Sequence, residues 1–207
     1  SIPAAGGTPR KIADGHLTQL SISKDGLKAV MAQDSLRKPA DVVTVDLATG
    51  KITRLTETND AALANFALLP SESVSYAGAL GKPVQAWITK PANFDASKKY
   101  PLLVIVHGGP QSVFADAWSY RWNPQVFAGA GFVVFMPNPR GSTGFGQAFV
   151  DDVSKDWGGK AYEDVMKGTE FAAALPYVDK DRVLAAGASY GGYMVNWMCT
   201  QTKRFKA

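Results

Sequence analysis

The sequence has one cysteine, two histidines and no apolar run approaching the roughly 20 residues that cross a bilayer. Each scarcity excludes something. Cys199 alone permits neither an internal disulfide nor a Cys-rich metal site, and it is expected to be a buried thiol compatible with either the periplasm or the cytoplasm. Apolar stretches stop at lengths such as Leu102–Val106 and Phe132–Met136, so no membrane partner is expected. Charge of one sign is not concentrated either. The 22 Lys+Arg against 18 Asp+Glu give +4, but the basic residues are scattered instead of forming a stripe interleaved with aromatics, which argues against nucleic acid as a partner. No Gly-Lys pair precedes Ser or Thr, and no spacing suits a metal, nucleotide or flavin, so no cofactor is expected. Ser1-Ile2-Pro3 has neither a starting Met nor a signal-peptide pattern, and the chain is expected to be processed or cut. Against these absences stands 46% apolar content, enough for a folded core.

Turn chemistry divides the first sixty residues into short strands. Leu17–Ile22 is closed by Lys24-Asp25-Gly26, Leu27–Ala32 follows, Asp41–Leu47 ends at Ala48-Thr49-Gly50, and Lys51–Thr56 completes a four-stranded antiparallel unit. So small a sheet buries little by itself. Its natural setting is a repeated array such as a propeller, so residues 1–66 are either a blade of a propeller whose other blades are missing or something smaller. From Asn65 onward the pattern changes. Ser73–Ala77 and Val84–Thr89 form a predicted hairpin, Tyr100–Val106 an almost unbroken apolar strand, 122–130 a helix, and Phe132–Met136 another buried strand. Tyr162, Val165, Met166, Thr169 and Ala173 fall on one face of a predicted helix stopped by Pro176; strand Arg182–Ala186 and a helix over 191–200 follow. Alternating strands and helices predict a parallel, doubly wound α/β sheet over 67–207.

Gly187-Ala188-Ser189-Tyr190-Gly191 has the Gly-x-Ser-x-Gly spacing of a nucleophile elbow, placed between an apolar strand and a helix. Glycines flanking the serine let the backbone bend sharply and lift its hydroxyl above the sheet, while the helix N-terminus faces developing negative charge. The competing reading is an ordinary N-cap serine. His107-Gly108-Gly109-Pro110 follows the apolar strand, where an α/β-hydrolase supplies its second oxyanion amide; an amide of this loop and that of Tyr190 are the candidate donors, each worth about 3 kcal/mol of barrier. The alternative is a plain tight turn. His107 precedes the serine, contrary to the Ser, Asp/Glu, His order of this fold, and is read as a loop-shaping residue in preference to a general base. His16 is read as a solvated loop residue. Residues 190–207 contain no Asp, Glu or His, so no triad is completed after Ser189, and the chain alone is expected to be inactive. Arg140, in the glycine-rich run 138–146, is read as a buried ion-pair partner ahead of a substrate contact. Trp118, Tyr120 and Trp122 are read as core filling ahead of a pocket wall.

Taken together, His107-Gly108-Gly109-Pro110, Asn138-Pro139-Arg140-Gly141-Ser142 and Gly187-Ala188-Ser189-Tyr190-Gly191-Gly192-Tyr193 resemble the prolyl oligopeptidase family of serine peptidases, especially its dipeptidyl-peptidase and acylaminoacyl-peptidase branches. The resemblance implies a β-propeller remnant at 1–66 followed by the N-terminal and central part of an α/β-hydrolase domain at 67–207. It implies Ser189 as nucleophile, the Gly109 and Tyr190 amides as oxyanion donors, a short peptide as substrate, and an acid and base supplied from outside this span. An esterase or lipase of the same fold, and a non-catalytic fragment, are the other readings. A piece ending after its nucleophile helix is expected to expose a sheet edge, and to need the remainder of the protein or another copy of itself as partner.

Overall fold

Asp25 and Asp46 set the first two turns that matter. Asp25 Oδ1 accepts from Ser23 Oγ and the Leu27 amide at 2.6 and 3.0 Å, and Asp46 Oδ1 accepts from the Ala48 and Thr49 amides at 3.1 and 2.8 Å. These Asx turns reverse the chain between strands and leave the strands free to pair. The computed structural model, which describes residues 1–207, contains two compact units: Ser1–Phe66 with Ala115–Asn123, and Ala67–Phe114 with Pro124–Ala207.

The first unit is an antiparallel meander, β1 (His16–Ile22), β2 (Lys28–Ser35), β3 (Lys38–Asp46) and β4 (Ile52–Arg54), in that spatial order, followed by the single turn α1 (Asp60–Leu63). One face buries Ala29, Val43 and Val45 with Leu17, Met31 and Ile52 packed around them. Strand β3 starts at Lys38 instead of Asp41, because Ser35 pairs with Lys38 across a tight reversal. Asp41, buried on this face, takes Arg54, Lys38 and the Thr56 hydroxyl as partners at 2.8 to 2.9 Å. His16 departs from expectation: it lies on β1 and its Nδ1 pairs with Asp34, which also accepts from the Trp118 amide at 3.2 Å. Tyr120 departs too. It is 85% exposed, its ring meeting Trp118 edge-on, because segment 115–123 groups with the meander, held by Asp116 to the Leu36 amide, instead of entering a core. Four strands form one antiparallel sheet, with no closed propeller.

The second unit is a five-stranded sheet in the order β5-β6-β8-β7-β9: β5 (Ser71–Ala77), β6 (Pro83–Thr89), β7 (Tyr100–Val106), β8 (Val133–Pro137) and β9 (Val178–Gly187). It is mixed, not fully parallel. The β5–β6 hairpin adds to β8 antiparallel, while β8 and β9 flank β7 in parallel, as crossover helices require. Strands β7 and β8 are apolar throughout because both faces are covered: Leu102, Val104, Val106, Val133 and Phe135 meet α4 (Lys160–Ala173) and α5 (Tyr190–Gln201), while α2 (Pro124–Gly129) packs on β6 and β8 from the other side. Helix α2 starts two residues later than predicted, with Pro124 at its first position, where the missing amide is harmless. A short α3 (Gln147–Asp151) was not foreseen.

Helix α4 buries Ala161, Asp164, Val165, Gly168, Thr169, Ala172 and Ala173, a stripe rotated from the one read off Tyr162 and Met166. Small residues win this face because the helix lies close to the sheet: a Cβ on Gly168 would sit 2.5 Å from the Tyr76 hydroxyl oxygen. On α5, Met194 and Met198 take the sheet-facing side, one turn apart, and this turns Cys199 outward. The thiol is exposed, not buried. Beyond α5, the Lys206 amide bonds to Val183 O and the Ala185 amide to Ala207 O, at 2.8 and 2.9 Å, so the chain's last residues lie against the β9 edge that was expected to be open.

Candidate active site

Between the end of β9 and the first turn of α5 the backbone makes a strained excursion. Ser189 has φ +57° and ψ −125°, a conformation that costs a non-glycine residue about 1–3 kcal/mol. Close packing on either side enforces it. A Cβ on Gly187 would lie 2.5 Å from Gly191 backbone, and one on Gly191 would overlap the Val106 carbonyl oxygen at the end of β7. The start of α5 is thereby pressed onto the C-terminal end of β7. Ser189 occupies the N-cap position, yet its side chain makes no capping bond and is exposed. Those two facts disfavour the N-cap reading: the helix gains nothing from the hydroxyl while the backbone bears strain. Behind it, the Tyr190 amide is one of the free first-turn donors of α5.

The His107–Pro110 loop runs beside this hydroxyl. A Cβ on Gly108 would be 3.3 Å from Ser189 Cβ and 3.8 Å from Ser189 Oγ, so any side chain there would intrude on the serine. Gly109 is exposed at φ +121°, which an L side chain rarely adopts. His107 is buried, and both ring nitrogens are engaged away from the serine: Nδ1 with Gly108 O at 2.6 Å and Nε2 with Ser142 Oγ at 2.9 Å. Its ring also meets Phe114 edge-on at 5.3 Å. Burial pushes its pKa below the ordinary histidine value, with the Gly108 carbonyl pulling the other way. A neutral imidazole with both nitrogens occupied is a brace and leaves no lone pair for the serine proton. No other histidine lies in this unit, so Ser189 stands without an imidazole partner. Nowhere do three His, Cys, Asp or Glu side chains gather as metal ligands.

Beneath the loop, Arg140 is 1% exposed and pairs with the fully buried Asp164 of α4. The Asp164 carboxylate also accepts the Ala79 and Arg140 amides at 2.7 and 2.9 Å, while Arg140 Nη2 donates to Ala79 O at 2.8 Å. Asp152 lies 3.3 Å from Arg140 Nε, and the guanidinium faces the Phe149 ring at 5.3 Å. Arg140 thus has no face left for a substrate. Sequence reading did not find Asp164, although a lone carboxylate three residues after Ala161 in a small-residue stripe was a signal that some cation had to join it. On the other side of the elbow, the Tyr190 hydroxyl donates to Trp157 O at 2.9 Å, and burial drives its pKa up. Trp157, Tyr190 and Tyr193 pack ring against ring at 5.3 to 5.9 Å, anchoring the first turn of α5.

A mixed sheet with a strand-serine-helix bend at the C-terminal end of its edge strand β9, beside β7, resembles part of an α/β-hydrolase fold, the architecture of serine hydrolases. Comparison with known proteins narrows this. The prolyl oligopeptidase family model matches residues 118–207. Dipeptidyl-peptidase 5 of Schizosaccharomyces pombe is 52% identical over 137 residues, which cover 65% of this chain and 20% of that protein; a probable dipeptidyl-peptidase 5 of Aspergillus clavatus is 47% identical over 81% of this chain and 24% of its own length. Among solved structures, the acylaminoacyl peptidase of Pyrococcus horikoshii superposes with TM-score 0.84 at 26% identity, over 95% of this chain and 31% of that one. A puromycin-hydrolyzing peptidase of Mycobacterium tuberculosis gives 0.75 at 30% identity, over 92% and 29%. The chain is homologous to peptidases of the prolyl oligopeptidase family, with dipeptidyl-peptidases and acylaminoacyl peptidases among its relatives. It spans between a fifth and a quarter of the length of those two curated relatives. No helix is long and apolar enough to cross a membrane.

Proposed function

We propose that this chain carries the nucleophile and oxyanion hole of a serine peptidase that cleaves short peptides through an acyl-enzyme. The observation that carries the reading is the exposed, uncapped Ser189 hydroxyl on a strained bend, with the Gly108–Gly109 loop alongside it. In this reading Ser189 Oγ attacks the scissile carbonyl, and the Gly109 and Tyr190 amides receive the oxyanion, each donor contributing about 3 kcal/mol. Residues 67–207 are the corresponding part of the catalytic domain, and residues 1–66 a blade of a β-propeller, the dipeptidyl- and acylaminoacyl-peptidase relatives being the support for a peptide substrate.

A serine hydroxyl without a base is a poor nucleophile at neutral pH. Because residues 190–207 hold no Asp, Glu or His, the 207-residue chain alone turns over negligibly, and the acid and base come from sequence outside it. The test compares dipeptidyl and acylaminoacyl p-nitroanilides with simple acyl esters on the chain extended by the downstream segment of its relatives, beside its Ser189→Ala variant. Amide cleavage abolished by the substitution supports the peptidase. Ester cleavage without amide cleavage selects the esterase or lipase reading, and turnover indifferent to the substitution removes Ser189 from the mechanism. No cleavage of either substrate class by the extended chain selects a non-catalytic fragment.

A further inference from the structure

The two hydrogen bonds of the buried imidazole lead to a role for it. Gly108 O can only accept, so the 2.6 Å contact with His107 requires the proton on Nδ1. In the neutral ring Nε2 is then an acceptor, and the donor at 2.9 Å is the Ser142 hydroxyl. The Ser142 hydroxyl also donates to Pro139 O at 2.6 Å, so its one proton is shared between that carbonyl and Nε2, and it is the Gly108 carbonyl that fixes the tautomer. The carbonyl that His107 holds belongs to the same peptide plane as the Gly109 amide. This peptide is trans, so its C=O and N–H point in opposite directions. Fixing Gly108 O toward a buried ring therefore aims Gly109 N–H at the exposed side, where Ser189 stands and where no protein group accepts from it.

We propose that His107 is a positioning residue: as the Nδ1–H tautomer, braced by Ser142, it holds the Gly108–Gly109 peptide with the Gly109 amide turned toward the Ser189 hydroxyl. The glycines make such a brace necessary. With φ of +121° at Gly109 and no side chain on either residue, the intervening peptide is otherwise free to rotate, and an oxyanion donor that must first be oriented loses much of its effect. This deepens the peptidase reading and rests on it for its catalytic consequence, but the contact itself is measurable without turnover.

Two measurements decide it. In the isotopically labelled 207-residue chain, imidazole nitrogen and Cδ2 shifts of His107 should report the Nδ1–H tautomer. His107→Leu should displace the Gly109 amide resonance, whereas His107→Asn, whose amide nitrogen takes the place of Nδ1, should largely restore it. In the extended, turnover-competent protein, His107→Leu should lower kcat roughly tenfold to a hundredfold with KM changed by less than about threefold, Ser142→Ala should lower it a few-fold, and His107→Asn should recover most of the loss. Equal thermal unfolding of the variants separates positioning from damage to the fold. An Nε2–H tautomer, a Gly109 amide indifferent to His107→Leu, or a loss expressed only in KM overturns the proposal. Should the extended protein prove inactive, the peptidase reading falls while the resonance measurements still decide whether His107 sets this peptide.

Discussion

Replacing Asp164 should cost more stability than any other single polar change in the second unit. The carboxylate is fully buried and serves three donors at once: the Arg140 guanidinium, the Arg140 amide and the Ala79 amide. Removing one partner of a buried pair costs about 3–5 kcal/mol, because the remaining charge has no water to turn to, and Arg140 is itself only 1% exposed. Each stranded amide adds about 1–3 kcal/mol, overlapping in part with the first term. Asp164→Ala therefore approaches the whole net stability of a domain, about 5–15 kcal/mol, and Asp164→Asn is the measurable variant, since its amide oxygen keeps one backbone donor. A loss of about 3 kcal/mol is expected for Asp164→Asn, read by urea unfolding through tryptophan fluorescence at unchanged m-value. Arg140→Met combined with Asp164→Asn removes the stranded cation, so the double variant should cost about 1.5–3 kcal/mol less than the two single losses summed. A loss under about 1 kcal/mol for Asp164→Asn, or strict additivity in the cycle, would refute the claim that this pair ties the loop to the helix.

Three further outcomes are expected. Ser189→Gly should stabilise the protein by about 1 kcal/mol relative to Ser189→Ala, raising Tm by about 2–4 °C, since glycine relieves strain at φ +57° of about 1–3 kcal/mol and costs about 0.5–1 in chain entropy; equal melting would mean the bend is unstrained. Gly191→Ala should abolish native folding or lower Tm by at least several degrees in calorimetry, because its Cβ would overlap the Val106 carbonyl and approach that of His107 at 3.0 Å. Arg54, and secondarily Lys38, hold the Asp60 carboxyl down from 3.8 to about 2. The unfolded chain takes up that proton first, so the contribution is complete above about pH 4 and disappears as pH falls through about 2. Accordingly, the Tm advantage over Asp60→Asn should vanish across that window, and a constant advantage down to pH 2 would contradict the pairing.

How much of this was legible in the sequence depends on how local the cause is. The β7 and β8 strands were read to within a residue because apolar residues on both faces can only lie between covering layers, a property carried by seven consecutive positions or fewer. The bend at Ser189 was legible for the same reason: Gly187 and Gly191 announce backbone contacts with each other and with the end of β7. The meander is readable from its turns, although the Ser35–Lys38 reversal lacks Gly, Asn or Asp, and the strands on either side of it run three residues further toward it than the sequence predicts. Misreadings occur where a distant partner decides. Tyr162 and Met166 carry more apolar surface than Ala161, Gly168 or Ala172, yet the helix turns its small side inward because Tyr76 and the sheet leave no more room. Tyr120 looks like core filling until segment 115–123 is seen to lie on the first unit, and His16 looks solvated until Asp34 arrives on the neighbouring strand.

The same division runs through the candidate site. The parts proposed to react, a serine hydroxyl and two backbone amides, are specified within short glycine-bearing motifs and so can be found by reading along the chain. What holds them in place is specified across it: Asp164 grips Arg140 twenty-four residues earlier, the 139–142 turn that Arg140 anchors presents Ser142, and Ser142 reaches His107 thirty-five residues before it. Arg140 and Ser142 belong to one five-residue run, so slack at the Asp164 end reaches the imidazole through only two intervening peptide links. Asp164→Asn should therefore disturb the Gly109 amide as well as global stability, whereas Asp60→Asn, on the other unit, should leave that resonance where it is.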